Sequence, residues 1–572
     1  MAPKPMTGGE LLLKCLQQEG VSTLFGILDG SFNTFLAKLD EYNMRFVNSR
    51  HEAAAAHMAE AYARVTGEPA VVIAGIGPGA ANMVSGVITA YAEGTPLIVF
   101  SGQRRRNIIY PDRGGSFQNV RLIDVFEPIT KFSVGVRDWR RLPEIIRKAY
   151  RIAVNGRPGP VYIEIPEDVM RSTGDPDTAP VWPAAGYRAT QPVAGDPALI
   201  QQAAEMLAGA ERPFLHAGVG VSWSGAWAEF VALGDYLSAG LSASLAARGV
   251  VPEDHPRYFH PLNRDALERA RSEADVVLVV GGRIGELDNW GKELTWRDPA
   301  EQKTIQIDVD PLAIGLNRPV DVGIVGDARA TLVGLLTAVQ SLTPAKPEHD
   351  KFKLYHSMTA DYRRLLDFAA NASDEGINSG KLIRAVRDFF PRDAIFSMDG
   401  GNTSLWCANY NPIYGPRSYL YTAKFGHLGT GIPYALGAKL AAPDKPVYVI
   451  SGDGAMGFNI AELETARRYN LPITVIVACD QGWGMERSSQ TFAGLDEMIE
   501  CDLYPDTRYD KVAEGFGCHG EFVTTLDELQ PALERATASG KPALIQVMVD
   551  HLANMAPPGA LAFGSMVYRG ED

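Results

Sequence analysis

The 572-residue chain has little cysteine, no long apolar run and no excess of positive charge, and each absence excludes something. Its five cysteines (Cys15, Cys407, Cys479, Cys501, Cys518) are scattered, with neither a CxxC pair nor zinc-finger spacing. That spacing excludes a disulfide framework and a thiolate metal site, and makes a reducing, cytoplasmic location the simplest expectation. No apolar run reaches the length of a membrane span, and residues 1–7 lack the apolar core of a signal peptide, so no membrane partner is expected. A net charge of −14 argues against nucleic acid and anionic lipid surfaces. The spacing GxGxxG is also missing from the glycine-rich turn Gly75-Ile76-Gly77-Pro78-Gly79. That run reads as a tight strand-to-helix turn, not a dinucleotide fingerprint.

What is present is the composition of a globular enzyme, 46% hydrophobic and 21% charged, at a length that predicts three or four domains. Thr7-Gly8-Gly9-Glu10 precedes an amphipathic helix with the signature of a capping box. Apolar runs at 23–27, 45–47, 70–74, 96–101 and 161–165 alternate with helical segments, which predicts a parallel, doubly wound sheet. Runs at 213–217, 276–280 and 304–307 predict a second sheet, and the polar, Pro-containing stretch 344–350 reads as a linker. The expected organisation is α/β throughout: domains at 1–185, 190–345 and 353–555, then a tail at 556–572.

The most informative stretch is Gly452-Asp453-Gly454, which follows a short apolar run at 449–451. Residues 458–469 carry helical spacing, with Asn459 and Glu462 placed like a capping box, and 472–478 is a β-branched run ending before Asp480-Gln481-Gly482. A strand-helix-strand unit of this length is a right-handed crossover between parallel neighbours. Asp453 and Asp480, 27 residues apart, then both fall at carboxyl ends of strands, where open α/β sheets bind ligands. Mg²⁺ is held by one or two carboxylates plus phosphate oxygens. Backbone N–H groups of Gly454, Ala455 and Met456 at a helix start suit the diphosphate.

This pattern resembles the signature of thiamine-diphosphate enzymes, in which the second segment reads Asn-Asn or Asn-Asp; here it reads Cys479-Asp480. The resemblance implies a backbone carbonyl, that of Gly482, as a third metal ligand. The stretch SRHEAAAAHMAEAYARVTG, preceded by LFGILDGSFNTF, resembles the cofactor-activating segment of the acetolactate synthase and benzaldehyde lyase group. An isolated Glu52 in a first helical turn would only complement the helix dipole. The resemblance instead implies that it bonds N1′ of the aminopyrimidine and favours the imino tautomer, whose nitrogen removes the thiazolium C2 proton. Ser116-Phe117-Gln118 resembles a Phe-Gln segment that reaches the active site in relatives, with Gln118 either touching cofactor or substrate or packing its own loop. In AIFSMDGGNTSLW, Gly401, Asn402 and Thr403 lie where relatives contact the terminal phosphate. In KFGHLGTGIPYALGAKLA, Leu428 stands where relatives carry the apolar residue that props the cofactor into its bent form, the alternative being a buried core leucine, and His427 is either a proton-transfer group or an ordinary loop histidine.

Where the family often reads Pro-Gly-Ala, this chain reads Leu28-Asp29-Gly30-Ser31, which is expected to face the substrate. Trp483, Met485, Glu486 and Arg487 are expected to line the same pocket, the last two through a polar acceptor or simply as an exposed turn. In the middle, DVVLVVGGRIGELDNWGKE places Arg283 where nucleotide-binding members carry an arginine. Ile284-Gly285-Glu286 replaces the Asp-Asp-Arg of FAD-dependent synthases, so FAD, or the ADP part of CoA, is a minority expectation and a structural domain is favoured. The C-terminal HLANMAPPGALAFGSMVYRGED looks like the tail of benzaldehyde lyases that closes over the site, the alternative being a frayed terminus. Together these motifs imply a thiamine-diphosphate- and Mg²⁺-dependent C–C lyase or carboligase acting on small 2-oxo acids, aldehydes or acyloins. They also imply a homodimer or homotetramer with sites at subunit interfaces. Two alternatives stay open: a 2-hydroxyacyl-CoA lyase or oxalyl-CoA decarboxylase-like enzyme, and a non-catalytic cofactor-binding homologue, against which intact Glu52, Asp453 and Asp480 weigh.

Overall fold

Runs such as Val276–Val280 and Thr474–Cys479 are buried at every position and, apart from Thr474, apolar throughout, the pattern of strands covered on both faces. In the computed structural model, which describes residues 4–189, 191–293, 295–372 and 376–560, they are inner strands of six-stranded sheets. Three such sheets are present, every pairing within them parallel. The first runs Arg45–Asn48, Thr23–Gly26, Ala70–Ala74, Leu97–Gln103, Val161–Pro166, Ser133–Gly135. The third runs Tyr419–Leu420, Ile395–Asp399, Val447–Gly452, Thr474–Cys479, Ala543–Met548, His519–Val523. Numbered within each sheet, both read 2-1-3-4-6-5, so the two ends of the chain repeat one topology. The middle sheet reads 3-2-1-4-5-6, from Tyr258–Phe259 at one edge to Val322–Val325 at the other.

The expected crossover is present: Val447–Gly452 and Thr474–Cys479 are parallel neighbours, with Gly452 opposite Ala478. The capping box at Thr7 forms, Glu10 N–H donating to Thr7 Oγ1 and Thr7 N–H to Glu10 Oε2. The second expected capping box does not. The helix expected over 458–469 is two short ones, Asp453–Asn459 and Glu462–Arg468. Asn459 Nδ2 donates instead to the Gly429 carbonyl, and Glu462 Oε1 accepts the N–H groups of Arg50 and His51. Long-range partners outbid the local cap: Glu462 reaches the first domain, and Asn459 reaches the loop that carries Leu428 in its own domain. Short strands of mixed composition, Ser133–Gly135, Gly240–Ala243, Tyr258–Phe259 and Val322–Val325, carry no periodic signal and escaped sequence reading.

The Ala-rich helix Glu52–Thr66 explains its own composition. It is buried almost all round, with Pro78–Glu93 on one side and Gly431–Ala441 of the third domain on another. A Cβ at Gly437 would fall 2.1 Å from the Met58 carbonyl oxygen, and one at Gly86 2.5 Å from Ala56 Cβ. Backbones this close leave room only for Ala and Gly. No described helix is long and apolar enough to cross a membrane. Residues 561–572, most of the expected tail, lie outside the described residues.

Candidate cofactor site

In both end domains the candidate residues gather at the point where strand order reverses, the crevice open α/β sheets use for ligands. In the first domain the glycine turn after Ala70–Ala74 organises the cluster. A Cβ at Gly75 would lie 2.7 Å from Asp29 Oδ2, one at Gly77 2.5 Å from the Gln118 carbonyl oxygen, and one at Gly79 3.2 Å from Glu52 Oε1. Each glycine thus leaves space for one of the three candidates. Gly77 also has φ +58°, ψ −103°, a conformation open to glycine alone. Glu52 opens its helix behind the N-cap His51 and is 9% exposed, and its Oε2 accepts from Asn82 Nδ2 at 3.1 Å. Asp29 Oδ1 accepts the Ser31 N–H and hydroxyl, which buries Ser31, while Leu28 is 55% exposed beside Gly30. Gln118 holds a left-handed backbone (φ +59°) next to Phe117, 73% exposed.

The third domain supplies the second cluster. Asp453 and Asp480 are both buried. Asp453 Oδ1 accepts from Gly454 N–H and Oδ2 from Gln481 N–H; Asp480 Oδ2 accepts from Asn554 Nδ2 at 2.7 Å. Burial and the Asp480 charge push Asp453 well above the usual carboxylate range. Among the described residues no group of three or more His, Cys, Asp or Glu forms a complete cage. Two buried carboxylates that repel each other, beside glycine backbone at 452, 454 and 482, form a donor set that a divalent cation neutralises and a diphosphate completes. The residues therefore fit Mg²⁺ and a diphosphate. Gly401, Asn402 and Thr403 follow at the neighbouring strand end; a Cβ at Gly401 would meet Met485, and one at Gly452 would meet Thr403 Oγ1. Ala455 and Met456 are buried in the helix that starts at Asp453. Trp483 lies over Gly454 and edge-on to Phe458.

A carboxylate that sequence reading passed over ties these loops together. Asp399 Oδ1 accepts N–H from Gly400 (2.8 Å) and Gly429 (3.1 Å), and Oδ2 accepts from Gly431 (2.8 Å). It thereby joins the phosphate-side turn to the loop carrying Leu428. Burial drives Asp399 up to about 6 against the pull of those three donors. His427 turns the other way: its Nδ1–H donates to the Leu428 carbonyl, and its ring packs 4.8 Å from His57 of the first domain, burial lowering its pKa. Arg487 departs from the expected pocket wall. It is buried under the metal loop, donating to the carbonyls of Asp480 and Gln481 and to Asp502 Oδ1, in space that any Cβ at Gly482 would take. Glu486 is exposed.

Residues 6–125 match the family described as thiamine pyrophosphate enzyme, N-terminal TPP binding domain; 200–335 match its central domain, and 399–547 its C-terminal TPP binding domain. The chain is 32% identical to the probable acetolactate synthase large subunit of Methanocaldococcus jannaschii over 569 residues, covering 97% of this chain and 94% of that relative. It is 31% identical to the Escherichia coli acetolactate synthase isozyme 1 large subunit, covering 97% of each. The chain belongs to the thiamine pyrophosphate enzymes. Within them it sits in the acetolactate synthase-like group, and it is a thiamine-diphosphate-dependent enzyme with carboligase or decarboxylase-type chemistry.

For a thiamine pyrophosphate enzyme, the residues that hold the motif residues in place are ones the sequence left unmarked (Asn82, Asn554) or marked only as a local cap (Glu462). Asn82 holds Glu52, Glu462 holds the segment before it, and Asn554 holds Asp480. Burial raises Glu462 to about 7. Glu164, also raised to about 7 by burial, accepts from Gln103 Nε2, which donates in addition to the Val120 carbonyl and so braces the Gln118 loop. The only sequence signal for these was an unexplained polar residue inside or at the end of an apolar run.

Proposed function

We propose that this enzyme is a Mg²⁺-dependent carboligase that condenses small 2-oxo acids and aldehydes, with acetolactate-type condensation as its reaction. The observation that carries the reading is Glu52, buried and fixed by Asn82 behind Gly79, while Asp453 and Asp480 stand paired at the matching crevice of the other end domain. Bound thiamine diphosphate supplies a carbon nucleophile and an electron sink for carbonyl substrates. The chain's part is to hold and poise. Asn82 occupies Glu52 Oε2 and leaves Oε1 to share a proton with a ring nitrogen. Asp453, Asp480 and the Gly482 carbonyl would hold Mg²⁺, with Gly401, Asn402, Thr403 and the N–H groups of Gly454, Ala455 and Met456 around the diphosphate. Leu428 would bend the cofactor, and Leu28, Gln118, Trp483 and Met485 would shape a largely apolar pocket that excludes water. His427, committed to Leu428 and His57, has a smaller role.

Support for a homodimer or homotetramer comes from the apolar side chains left bare around both crevices, Phe117, Phe425, Phe458, Phe492 and Ile499. In this reading Glu52 of one subunit meets Asp453 of another. The middle domain is structural: Asp288, the second acidic residue after Arg283, is tied to His216 and Arg271 and not free to meet a nucleotide ribose. A cytoplasmic location agrees with five free, buried thiols.

The test is an NMR product screen of enzyme reconstituted with thiamine diphosphate and Mg²⁺, offered pyruvate, aldehydes, benzoin and acyl-CoA thioesters. Condensation of pyruvate is expected, and turnover of thioesters alone would replace this reading with the CoA-dependent one. Glu52→Gln should lower turnover at least about 100-fold and leave diphosphate binding largely intact; unchanged turnover sinks the assignment.

A further inference from the structure

The chain stays in the third domain after its inner strand Ala543–Met548 ends. Asp550 caps a single helical turn, His551–Asn554, its Oδ1 accepting the N–H groups of Leu552 and Ala553. Pro557 and Pro558, which lack N–H groups, follow it. Leu552 on this turn is exposed, whereas Asn554 is buried. Side chains of two helices hold the turn by its carbonyls. Asn402 Nδ2 and Trp406 Nε1 donate to the Asn554 carbonyl, Asn409 Nδ2 to that of Pro558, and Ser488 Oγ to that of Met555. The Asn554 amide then reaches in two further directions. Its Oδ1 accepts from Ser379 Oγ at 2.8 Å, and its Nδ2 donates to Asp480 Oδ2 at 2.7 Å. A flipped amide would set two acceptors against each other at Asp480, so the network fixes this orientation. A Cβ at Gly484 would fall 2.6 Å from Asp480 Oδ2, 3.4 Å from Asn402 Nδ2 and 3.5 Å from Asn554 Nδ2. A candidate metal ligand, a candidate phosphate contact and Asn554 thus converge on the space left by one glycine.

We propose that Asn554 is a positioning residue for the metal, fixing the Asp480 carboxylate by one oxygen, leaving the other to the cation, and so coupling cation binding to the docking of residues 550–558. The proposal rests on the reading of Asp480 as a Mg²⁺ ligand. Buried beside Asp453, whose charge opposes its own, Asp480 needs a donor to hold its rotamer. A lysine or arginine there would compete with the metal for the charge. Arg487 gives its donors to the carbonyls of Asp480 and Gln481 and to Asp502, so the group that meets the carboxylate is a neutral amide. Partners of this kind behind a metal ligand set its orientation and the affinity of the site. Asn402 holds the same turn from the phosphate side, so docking of the turn brings both halves of the diphosphate site into register. Coupling of this kind is reciprocal: what the turn does for the cation, the cation does for the turn.

The experiment uses the full chain with saturating thiamine diphosphate and Mn²⁺ as the probe ion, its binding followed by electron paramagnetic resonance. The Mn²⁺ dissociation constant should rise about 10–100-fold in Asn554→Ala, and by less in Ser379→Ala, which leaves the amide present but unanchored. Turnover lost in Asn554→Ala should return as Mg²⁺ is raised, so that the Mg²⁺ requirement changes and kcat does not. Hydrogen exchange gives the reciprocal measurement. The N–H groups of Asn554 and Met555, which donate to the carbonyls of Asp550 and His551, should exchange more slowly in the parent once Mg²⁺ and cofactor are bound. In Asn554→Ala that protection on loading should vanish, although the turn keeps its carbonyl contacts to Asn402, Trp406, Asn409 and Ser488. Unchanged Mn²⁺ affinity, a turnover defect that excess Mg²⁺ does not repair, or no protection of the turn in the loaded parent would each overturn the proposal. A parent that binds no Mn²⁺ beside the cofactor would instead remove the metal reading of Asp480, and the proposal with it.

Discussion

Asp399→Asn separates the folding role of a buried carboxylate from its role in aligning two loops. The carboxylate is fully buried, and burial raises it from the ordinary 3.8 to about 6. Above pH 6 the ionised form therefore weakens the fold by about 3 kcal/mol, at 1.36 kcal/mol for each pKa unit. That penalty is absent below about pH 3.8 and fully felt above 6, and an uncharged amide removes it. Against this gain, the amide nitrogen replaces the oxygen that accepts from Gly431 N–H, leaving that donor unmet at a cost of about 1–3 kcal/mol. The two effects are of similar size, so near pH 7.5 the melting temperature should move by no more than a few degrees. The alignment is not compensated: Gly431 is released while Gly400 and Gly429 keep an acceptor, and the Leu428 loop loosens relative to the phosphate-side turn. We expect the dissociation constant for thiamine diphosphate, measured by calorimetry with saturating Mg²⁺, to rise about tenfold or more, the equivalent of one lost hydrogen bond. A variant that binds cofactor as tightly as the parent refutes the alignment role. A collapse of the melting temperature refutes the energetic balance.

Three further outcomes follow from the same geometry. Gly77→Ala places a methyl group 2.5 Å from the Gln118 carbonyl at a positive φ, so it should lose at least about 2 kcal/mol in denaturant melts or displace the loop and raise KM more than it lowers kcat. Glu462→Ala removes the acceptor for two N–H groups just before Glu52; turnover should fall several-fold, with Glu462→Gln, which keeps an acceptor, restoring most of it. Glu164 is raised from 4.5 to about 7, so its contribution to stability is fully present below pH 4.5 and is lost as pH rises through 7. Glu164→Gln should therefore gain relative to the parent by up to about 3 kcal/mol between pH 5 and 8, and a pH-independent difference in melting temperature would contradict that sign.

Sequence by itself determined the α/β class and many of the inner strands, and it singled out the candidate site residues. Inner strands such as Val276–Val280 and Thr474–Cys479 are apolar almost throughout, so their signal is local and strong. Asp453 and Asp480, 27 residues apart, were legible for the same reason, since the stretch between them forms one crossover whose handedness is dictated by backbone sterics. The strands at Ser133–Gly135, Gly240–Ala243, Tyr258–Phe259 and Val322–Val325 were not legible, because two to four residues of mixed composition leave no pattern. The second capping box was read where none forms, because Asn459 and Glu462 have better partners 30 and 412 residues away than in their own helix. Gly75, Gly77 and Gly79 looked like an ordinary turn, and only tertiary structure showed that each makes room for Asp29, Gln118 or Glu52. The same holds for Asp399, whose three donors come from two loops brought together by folding. Residues that touch a cofactor are confined to a few chemistries and spacings and so leave motifs. Residues that hold those residues in place need only fit a local gap, and that gap exists once the chain has folded.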